Sequence, residues 1–434
     1  VPPTRHTEPR HCLRAPSQAS FAAELRNRIV QTLSMERPTA IDLFCGAGGL
    51  SIGLERAGWR TVAAVDCDRD SIASMESSKR AAIPITGDSR TYLEGTRIVR
   101  ADIANISASD LRPAGENARW RPTLLAGGPP CQPFSSAGRM RSLQDPRGRL
   151  FVQFVRIAAE LRPRFILFEN VPGLVTARSR DGVPGGVLRL IQREFERIGY
   201  ACRFELLNAA DYGAPQRRVR LYMVAAREES PPNFPPPTHA KATSLVAAQP
   251  WVTLGEFLES QPRPEAGDVV RPTMSREREL SRLKPGTGLK AGGLVEANRP
   301  GGHWGYRQDC FLADPRLPSR TIRAAATPDW IRDIDGTLRR LTWRECAALQ
   351  GFPYEWNFEG TVTARFRQIG NAVQGHIGSA IGSAILSASR KRRVPDRAES
   401  FPWPPSFHKR VRYTAMEDAV NGAVRAAARE RRSA

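Results

Sequence analysis

The 434-residue sequence predicts an α/β fold, a mainly parallel sheet with helices on both faces, joined to a second, smaller lobe. Three observations carry this expectation. Between residues 39 and 227 short apolar runs alternate with helical stretches, as parallel strands under crossover helices require. A proline cluster at 231–237 then breaks the pattern like a hinge. From about Trp251 to Ile334 the chain is loop-rich, punctuated by Pro285-Gly286, Gly292-Gly293 and Pro300-Gly301-Gly302, which suits a separate small unit.

Taken in order, residues 21–33 place Leu25, Ile29 and Leu33 at helical spacing and predict an amphipathic helix before the first strand. Strands are expected at 40–44, 62–65, 123–126, 165–168 and 221–225, each a short apolar run. A helical stretch follows the first of them at 50–57, and helical periodicity returns at 342–349 and 377–386. Beyond Arg390 the chain is basic and proline-rich, and 416–427 reads as a lone amphipathic helix, which by default is packing.

Composition narrows the function classes. A hydrophobic content of 41% supports a real core and argues against disorder. The net charge of +21, nearly all of it arginine, favours a polyanionic partner. A coding bias toward arginine would produce the same charge, so charge alone decides nothing. Cys12, Cys45, Cys67, Cys131, Cys202, Cys310 and Cys346 are odd in number, widely spread and without a paired C-x-x-C. They read as free thiols, with no metal site expected. With no apolar run of membrane-spanning length and no signal-like start, a cytoplasmic location is expected.

Chemistry-bearing residues follow the strands. Asp42-Leu43-Phe44-Cys45-Gly46-Ala47-Gly48-Gly49 runs from a strand into glycines and then a helix, where a ligand can approach the backbone. A dinucleotide fingerprint wants glycine at the sixth place of G-x-G-x-x-G, and Ser51 stands there, so the match to NAD binding fails. A glycine-rich turn alone is also what a tight connection looks like. About twenty residues on, Asp66-Cys67-Asp68 places an acid where the ribose hydroxyls of a nucleoside cofactor accept one. Asp102, before Ile103, suits an adenine amine or an ordinary solvated loop. In Gly127-Gly128-Pro129-Pro130-Cys131-Gln132-Pro133-Phe134-Ser135, three prolines fix the backbone around one cysteine at a strand's end. A lone cysteine is usually a small buried hydrophobe; this setting reverses that reading.

These blocks resemble the cytosine carbon-5 DNA methyltransferases of bacteria across most of 40–386. The glycine turn looks like that family's cofactor loop and Gly-Pro-Pro-Cys-Gln like its nucleophile loop. Glu169-Asn170-Val171 matches E-N-V, and Gln216 to Arg220 matches Q-x-R-x-R. Arg344 to Pro353 is similar to the block closing the small domain, and Gly370-Asn371-Ala372-Val373 to the last cofactor block. Six motifs in order are far more specific than one.

The resemblance implies an S-adenosylmethionine-dependent, Rossmann-like doubly wound sheet with a target-recognition domain. The implied divisions are an N-terminal extension 1–38, a catalytic domain 39–227, a small domain with its hinge 228–366, a returning segment 367–390 and a basic tail 391–434. Cys131 would add to carbon 6 of cytosine, since carbon 5 is a poor nucleophile until an enamine forms. Glu169 would hold a proton at ring nitrogen 3. Arg218 and Arg220 alternate on one strand face, so both are expected to point at the same pocket. Phe44, Gly46, Gly48, Asp66, Cys67, Asp102, Ile103, Pro129, Leu150, Asn371 and Ala372 would line the S-adenosylmethionine site. Gln132 and Ser135 would lie beside a nucleotide flipped out of the duplex.

Three positions depart from the family's pattern. Cys67 stands where many relatives stack an aromatic on adenine, Arg149 where a small residue is usual, and Gln374-Gly375 where prolines usually follow. Arg147, His303, Arg307 and Arg332 are the candidate DNA contacts, the last three in the variable region that reads base edges. Trp304 and Trp330 suit either that role or the small lobe's core. Double-stranded DNA is the expected partner, with a cognate restriction endonuclease encoded nearby and a monomeric, nucleoid-associated protein. An RNA cytosine methyltransferase shares the catalytic motifs, but the long arginine-rich variable region favours duplex DNA. A DNA-binding regulator on a silent scaffold would not need Cys131, Glu169, Arg218 and Arg220 together.

Overall fold

The computed structural model describes residues 37–130, 148–241, 248–290, 295–297, 306–325, 327–391 and 399–416, with backbone only at 148–149, 290, 295–297 and 306–309. Val1–Arg37 is one unit by its contacts and Pro38–Ala434 another. The expected helix at 21–33 lies outside the described residues.

Each expected strand of the first region forms. β1 (Thr39–Leu43), β2 (Arg60–Asp66), β4 (Leu124–Gly127), β5 (Phe165–Asn170) and β7 (Val219–Arg227) join β3 (Arg97–Arg100) and β6 (Tyr200–Asn208) in one sheet of order β3-β2-β1-β4-β5-β7-β6. The pairings from β3 to β5 are parallel, while β7 runs antiparallel to β5 and β6. β1 is buried along its whole length, which explains the apolar Ala40, Ile41 and Leu43 around its one charged residue, Asp42. β6 was not expected. As an edge strand it alternates Arg203 and Glu205 with Cys202, Phe204 and Leu206, so it offers no continuous apolar run.

Helices cover both faces. α1 (Gly49–Arg56) and α2 (Arg69–Arg80) follow β1 and β2, α3 (Gly148–Leu161) precedes β5, and α4 (Gly186–Arg197) precedes β6. Asp68 caps α2 by accepting the Ser71 N–H, and α4 buries Val187, Leu188, Ile191 and Phe195 at helical spacing.

The second region contains α5 (Leu254–Glu259), α6 (Met274–Ser281) and a five-stranded sheet, β11-β10-β12-β13-β14, alongside a short parallel pair, β8 (His239–Ala240) and β9 (Gln249–Pro250). The sheet's strands are β10 (Thr287–Lys290), β11 (Val295–Ala297), β12 (Tyr306–Leu312), β13 (Trp330–Arg332) and β14 (Leu338–Arg340). Its core is Leu280, Leu283, Leu289, Cys310, Leu312, Trp330 and Leu338.

The chain then returns to the first sheet through α7 (Trp343–Leu349), α8 (Val362–Asn371) and α9 (Gly375–Ser389). α9 crosses α1 so closely that a Cβ on Gly53 would stand 2.7 Å from the Gly375 carbonyl and 2.8 Å from the Gly378 Cα. Trp59 Nε1 donates to the Gly382 carbonyl across the same contact at 2.9 Å. Residues 399–416, read from sequence as part of an appended tail, instead fold onto the sheet, burying Trp403 and Phe407. Among the described residues no helix is long and apolar enough to cross a membrane, and Cys45, Cys67, Cys202, Cys310 and Cys346 are free thiols.

Candidate active site

Two neighbouring strand ends build the site. β4 ends at Gly127, where a Cβ would stand 2.3 Å from the Leu43 carbonyl oxygen, so only glycine lets the chain leave the sheet here. At Gly128 a Cβ would meet Glu169 Oε2 at 3.0 Å. Asn170 Nδ2 donates to the Pro129 carbonyl at 3.1 Å while its Oδ1 accepts the Val171 N–H at 2.8 Å. E-N-V thus grips the root of the Pro-Pro-Cys loop. Cys131, Gln132, Ser135 and Arg147 lie outside the described residues.

Glu169 is largely but not fully buried on β5, with Oε1 3.3 Å from Arg220 Nε. Burial pushes its carboxyl above the ordinary range, opposed first by Arg220 and then by Arg218. A largely buried carboxyl inclined to keep its proton suits proton donation to a ring nitrogen. Directly across the antiparallel pair stands Tyr222, fully buried, its hydroxyl without a partner among the described residues. Sequence reasoning passed over Tyr222; its alternation with Arg218 and Arg220 was the signal available.

Arg218 corrects one expectation. Instead of opening with Arg220 into a shared pocket, it is buried and donates to the carbonyls of Ile322 at 3.0 Å, Gly370 at 3.0 Å and Ala372 at 2.9 Å. Burial lowers its pKa to about 9, with the Arg220 charge adding to the effect. Gln216 works beside it, donating to the Leu349 carbonyl and Gln350 Oε1 and accepting the Ile322 N–H at 3.1 Å. The Q-R-R-V-R segment therefore ties the catalytic strand to the small lobe's return and to the Asn371 block.

At the other strand ends the glycine turn forms a cradle. Phe44, Gly46 and Gly48 have positive φ, and a Cβ on Gly46 would meet nothing within 4 Å, so the turn faces open space. Asp66 accepts the Gly46 N–H at 2.9 Å and the Asp68 N–H at 2.8 Å, which leaves each carboxylate oxygen a further lone pair. Cys67 is exposed beside it, and its thiol is raised by burial, by Asp66 and, more weakly, by Asp102. Asp102 is exposed and accepts the Ala104 N–H at 2.9 Å, Ile103 is buried, and Leu150 is half-buried at the start of α3. A Cβ on Gly49 would stand 2.4 Å from the Val373 carbonyl, which brings exposed Asn371 and buried Ala372 to the same turn.

Ser51, the residue that spoils the dinucleotide fingerprint, donates to Asp42 Oδ2 at 2.7 Å. The other Asp42 oxygen has no partner among the described residues, and burial, less strongly aided by the charge of Asp66, pushes its carboxyl up to about 7. Asp42 thus pins the first turn of α1 to β1, a role no spacing rule announced.

The recognition candidates divide. His303 lies outside the described residues, as does Trp304, and Arg307 is described only as backbone in β12. Arg332 is exposed on β13, with Nη1 donating to the Gly336 carbonyl at 2.9 Å. Trp330 is 4% exposed in the small lobe's core, with Arg340 stacked 4.1 Å from its ring, so its core role wins over base contact. Among the described residues no group of three or more His, Cys, Asp or Glu is placed to hold a metal.

Comparison with known proteins follows this geometry. The model of the C-5 cytosine-specific DNA methylase family matches residues 39–387. The type II methyltransferase M.XorII of Xanthomonas oryzae pv. oryzae is 30% identical over 410 residues, covering 82% of this chain and 87% of that protein. M.FnuDI of Fusobacterium nucleatum, also a type II methyltransferase, is 29% identical over 351 residues, covering 77% of this chain and 90% of its own length. In fold the chain is similar to the crystal structure of the S. pombe Dnmt2 methyltransferase, with a TM-score of 0.54 at 18% identity over 81% of this chain and 99% of that one.

Proposed function

The chain belongs to the C-5 cytosine-specific DNA methylase family and methylates carbon 5 of cytosine in DNA, and from that premise we propose how its residues do so. The methyl donor is S-adenosylmethionine, whose sulfonium supplies an electrophilic methyl group. The cradle suits it: open space over Gly46 admits a bulky nucleoside, and Asp66, held by two N–H groups, offers free lone pairs to ribose hydroxyls. Asp102 and Cys67 would border its adenine, and Phe44, Ile103, Leu150 and Asn371 would complete the wall.

The Cys131 thiolate adds to carbon 6 of a cytosine flipped out of the duplex. Glu169 places its proton at ring nitrogen 3, so the negative charge of the addition does not accumulate on the ring. Carbon 5 of the resulting enamine would take the methyl group, the sulfur–methyl bond breaking to leave neutral S-adenosylhomocysteine, and loss of the carbon-5 proton to water with departure of the Cys131 thiolate would restore the aromatic base. Arg220 holds the Glu169 carboxyl in place; Arg218 acts through the main chain it braces. Gln132 and Ser135 steady the flipped nucleotide. The observation that carries the reading is the largely buried Glu169 beside Arg220, within 3.0 Å of where a Cβ on Gly128 would stand, two residues before the Pro130-Cys131 pair.

The enzyme acts as a monomer in the cytoplasm; the type II designation of its relatives supports a role as the modification partner of a restriction endonuclease encoded nearby. The test is to incubate the protein and labelled S-adenosylmethionine with unmethylated duplex DNA and map the modified bases, beside Cys131→Ser. The expected product is 5-methylcytosine at one sequence, reduced to background in the variant. Label on adenine, or undiminished transfer by Cys131→Ser, would overturn the proposal.

A further inference from the structure

Residues 399–416 take no part in the site described above. Their first members lie along the outer edge of β6, where the Phe401 N–H donates to the Cys202 carbonyl at 2.8 Å and the Cys202 N–H donates to Ser400 Oγ at 3.0 Å. An exposed strand edge is thereby covered. The helix at 405–416, α10, then buries Phe407 behind Trp403 in the apolar cluster that also holds Leu174 and Val175. Trp403 Nε1 donates to Gln192 Oε1 at 2.8 Å, and a Cβ on Gly185 would stand 3.1 Å from Val411 Cγ2 and 3.3 Å from the Val175 carbonyl. Leu174 and Val175 belong to the short turn Pro172–Val175 that directly follows Glu169-Asn170-Val171. α10 is therefore braced against the segment that leaves the catalytic strand.

Its outer surface is cationic. Phe407, Val411 and Thr414 face inward at helical spacing, while Lys409 and Arg412 share the opposite face with Tyr413 and Met416, and Arg410 flanks them. Lys409, Arg410 and Arg412 are exposed and make no ion pair with a described residue. Three cations on one short helix repel each other, and a rigidly held array of this kind is complementary to a row of phosphates.

We propose that α10 is a second DNA-contacting element, in which Lys409, Arg410 and Arg412 hold the phosphate backbone of the duplex flanking the methylated site. The contact extends the footprint without reading bases. This rests on the DNA methyltransferase reading, and the experiment separates the two. Lys409→Ala/Arg410→Ala/Arg412→Ala and the parent protein are titrated over a salt series with two duplexes, one trimmed to the mapped site and one extended by two helical turns on each side.

On the long duplex the variant's slope of log affinity against log salt should fall by about 2–3, and its affinity by about 10–100-fold. On the short duplex the two proteins should bind alike, turnover at saturating DNA should be unchanged, and Arg410→Lys/Arg412→Lys should retain the parent's affinity. Identical slopes on the long duplex, or an equal loss on both duplexes, would overturn the proposal. So would a variant whose only change is weaker self-association in sedimentation, which would make a second copy the partner. Absence of methyl transfer to any DNA by the parent protein would instead remove the underlying reading.

Discussion

Arginine does different work in the two sheets. In the catalytic half, Arg220 faces the carboxyl of Glu169 and Arg218 is spent on three main-chain carbonyls from distant segments. In the small lobe arginines build the core's margin. Arg320 pairs with Asp329 and stacks on Phe311, Arg340 stacks on Trp330, and Arg339 joins Glu345 and Asp333. A lobe with few apolar residues covers its aromatics with guanidinium planes and neutralises these with acids. The positive charge of the sequence is thus a poor guide to which arginines meet DNA, because several in the small lobe are already engaged.

Breaking the catalytic side of this comparison should have the largest effect. Arg218→Ala leaves three buried carbonyls unpaired and removes a charge near Glu169, so a loss of about 3–5 kcal/mol in denaturant unfolding is expected. Arg218→Lys should not rescue it, because an ammonium cannot span three fixed acceptors as the guanidinium fork does. Full stability in either variant would mean the strut is dispensable.

Glu169→Gln should leave the fold and DNA affinity intact and cut turnover by about 10²–10⁴-fold, the range of a lost general acid. Its stability signature has a definite sign. Because burial raises the carboxyl's pKa, its contribution to stability is complete below the unfolded-chain value and is lost as pH rises through the higher folded value. The glutamine variant escapes that loss, so its melting temperature relative to the parent should improve as pH goes from about 4 to about 8. A difference that stays flat with pH would show that the folded and unfolded chains hold the Glu169 proton equally tightly, so that burial does not raise its pKa. A smaller change tests the same carboxyl from the side: Gly128→Ala puts a methyl 3.0 Å from Glu169 Oε2 and should slow turnover on the order of tenfold by displacing it.

How much of this was legible depended on where the causes lie in the chain. Five strands were readable because each is a short apolar run, and β1 is buried along its whole length. β6 was not, since an edge strand tolerates Arg203 and Glu205, and the docking of residues 399–416 was hidden with it because Ser400 and Phe401 pair with Cys202 on that edge while Trp403 packs against the helix of Gln192. Glu169, Arg220 and the cradle from Phe44 to Asp66 were named from motifs that place side chains locally. Arg218 was named too, but its job is set by carbonyls of Ile322, Gly370 and Ala372, more than 100 residues away. Asp42 and Tyr222 escaped for a related reason, since inside an apolar strand a polar residue's significance shows only when the fold supplies or withholds its partner.

The small lobe's arginines sharpen the comparison from the weaker side. Arg332 differs from its neighbours there: it is exposed on β13, and it donates to the Gly336 carbonyl in the turn that closes the β13–β14 hairpin. A cation that no carboxylate or ring among the described residues holds is available to a base edge. Arg332→Ala should therefore change stability by less than about 0.5 kcal/mol, while weakening specific DNA binding by about 1–3 kcal/mol and relaxing the preference at one base pair. A uniform loss on all sequences with a shallower salt dependence would instead make it a phosphate contact. No loss of binding at all would place Arg332 with Arg339 and Arg340 among the arginines that serve the fold, and base reading would then have to come from side chains on other parts of the lobe.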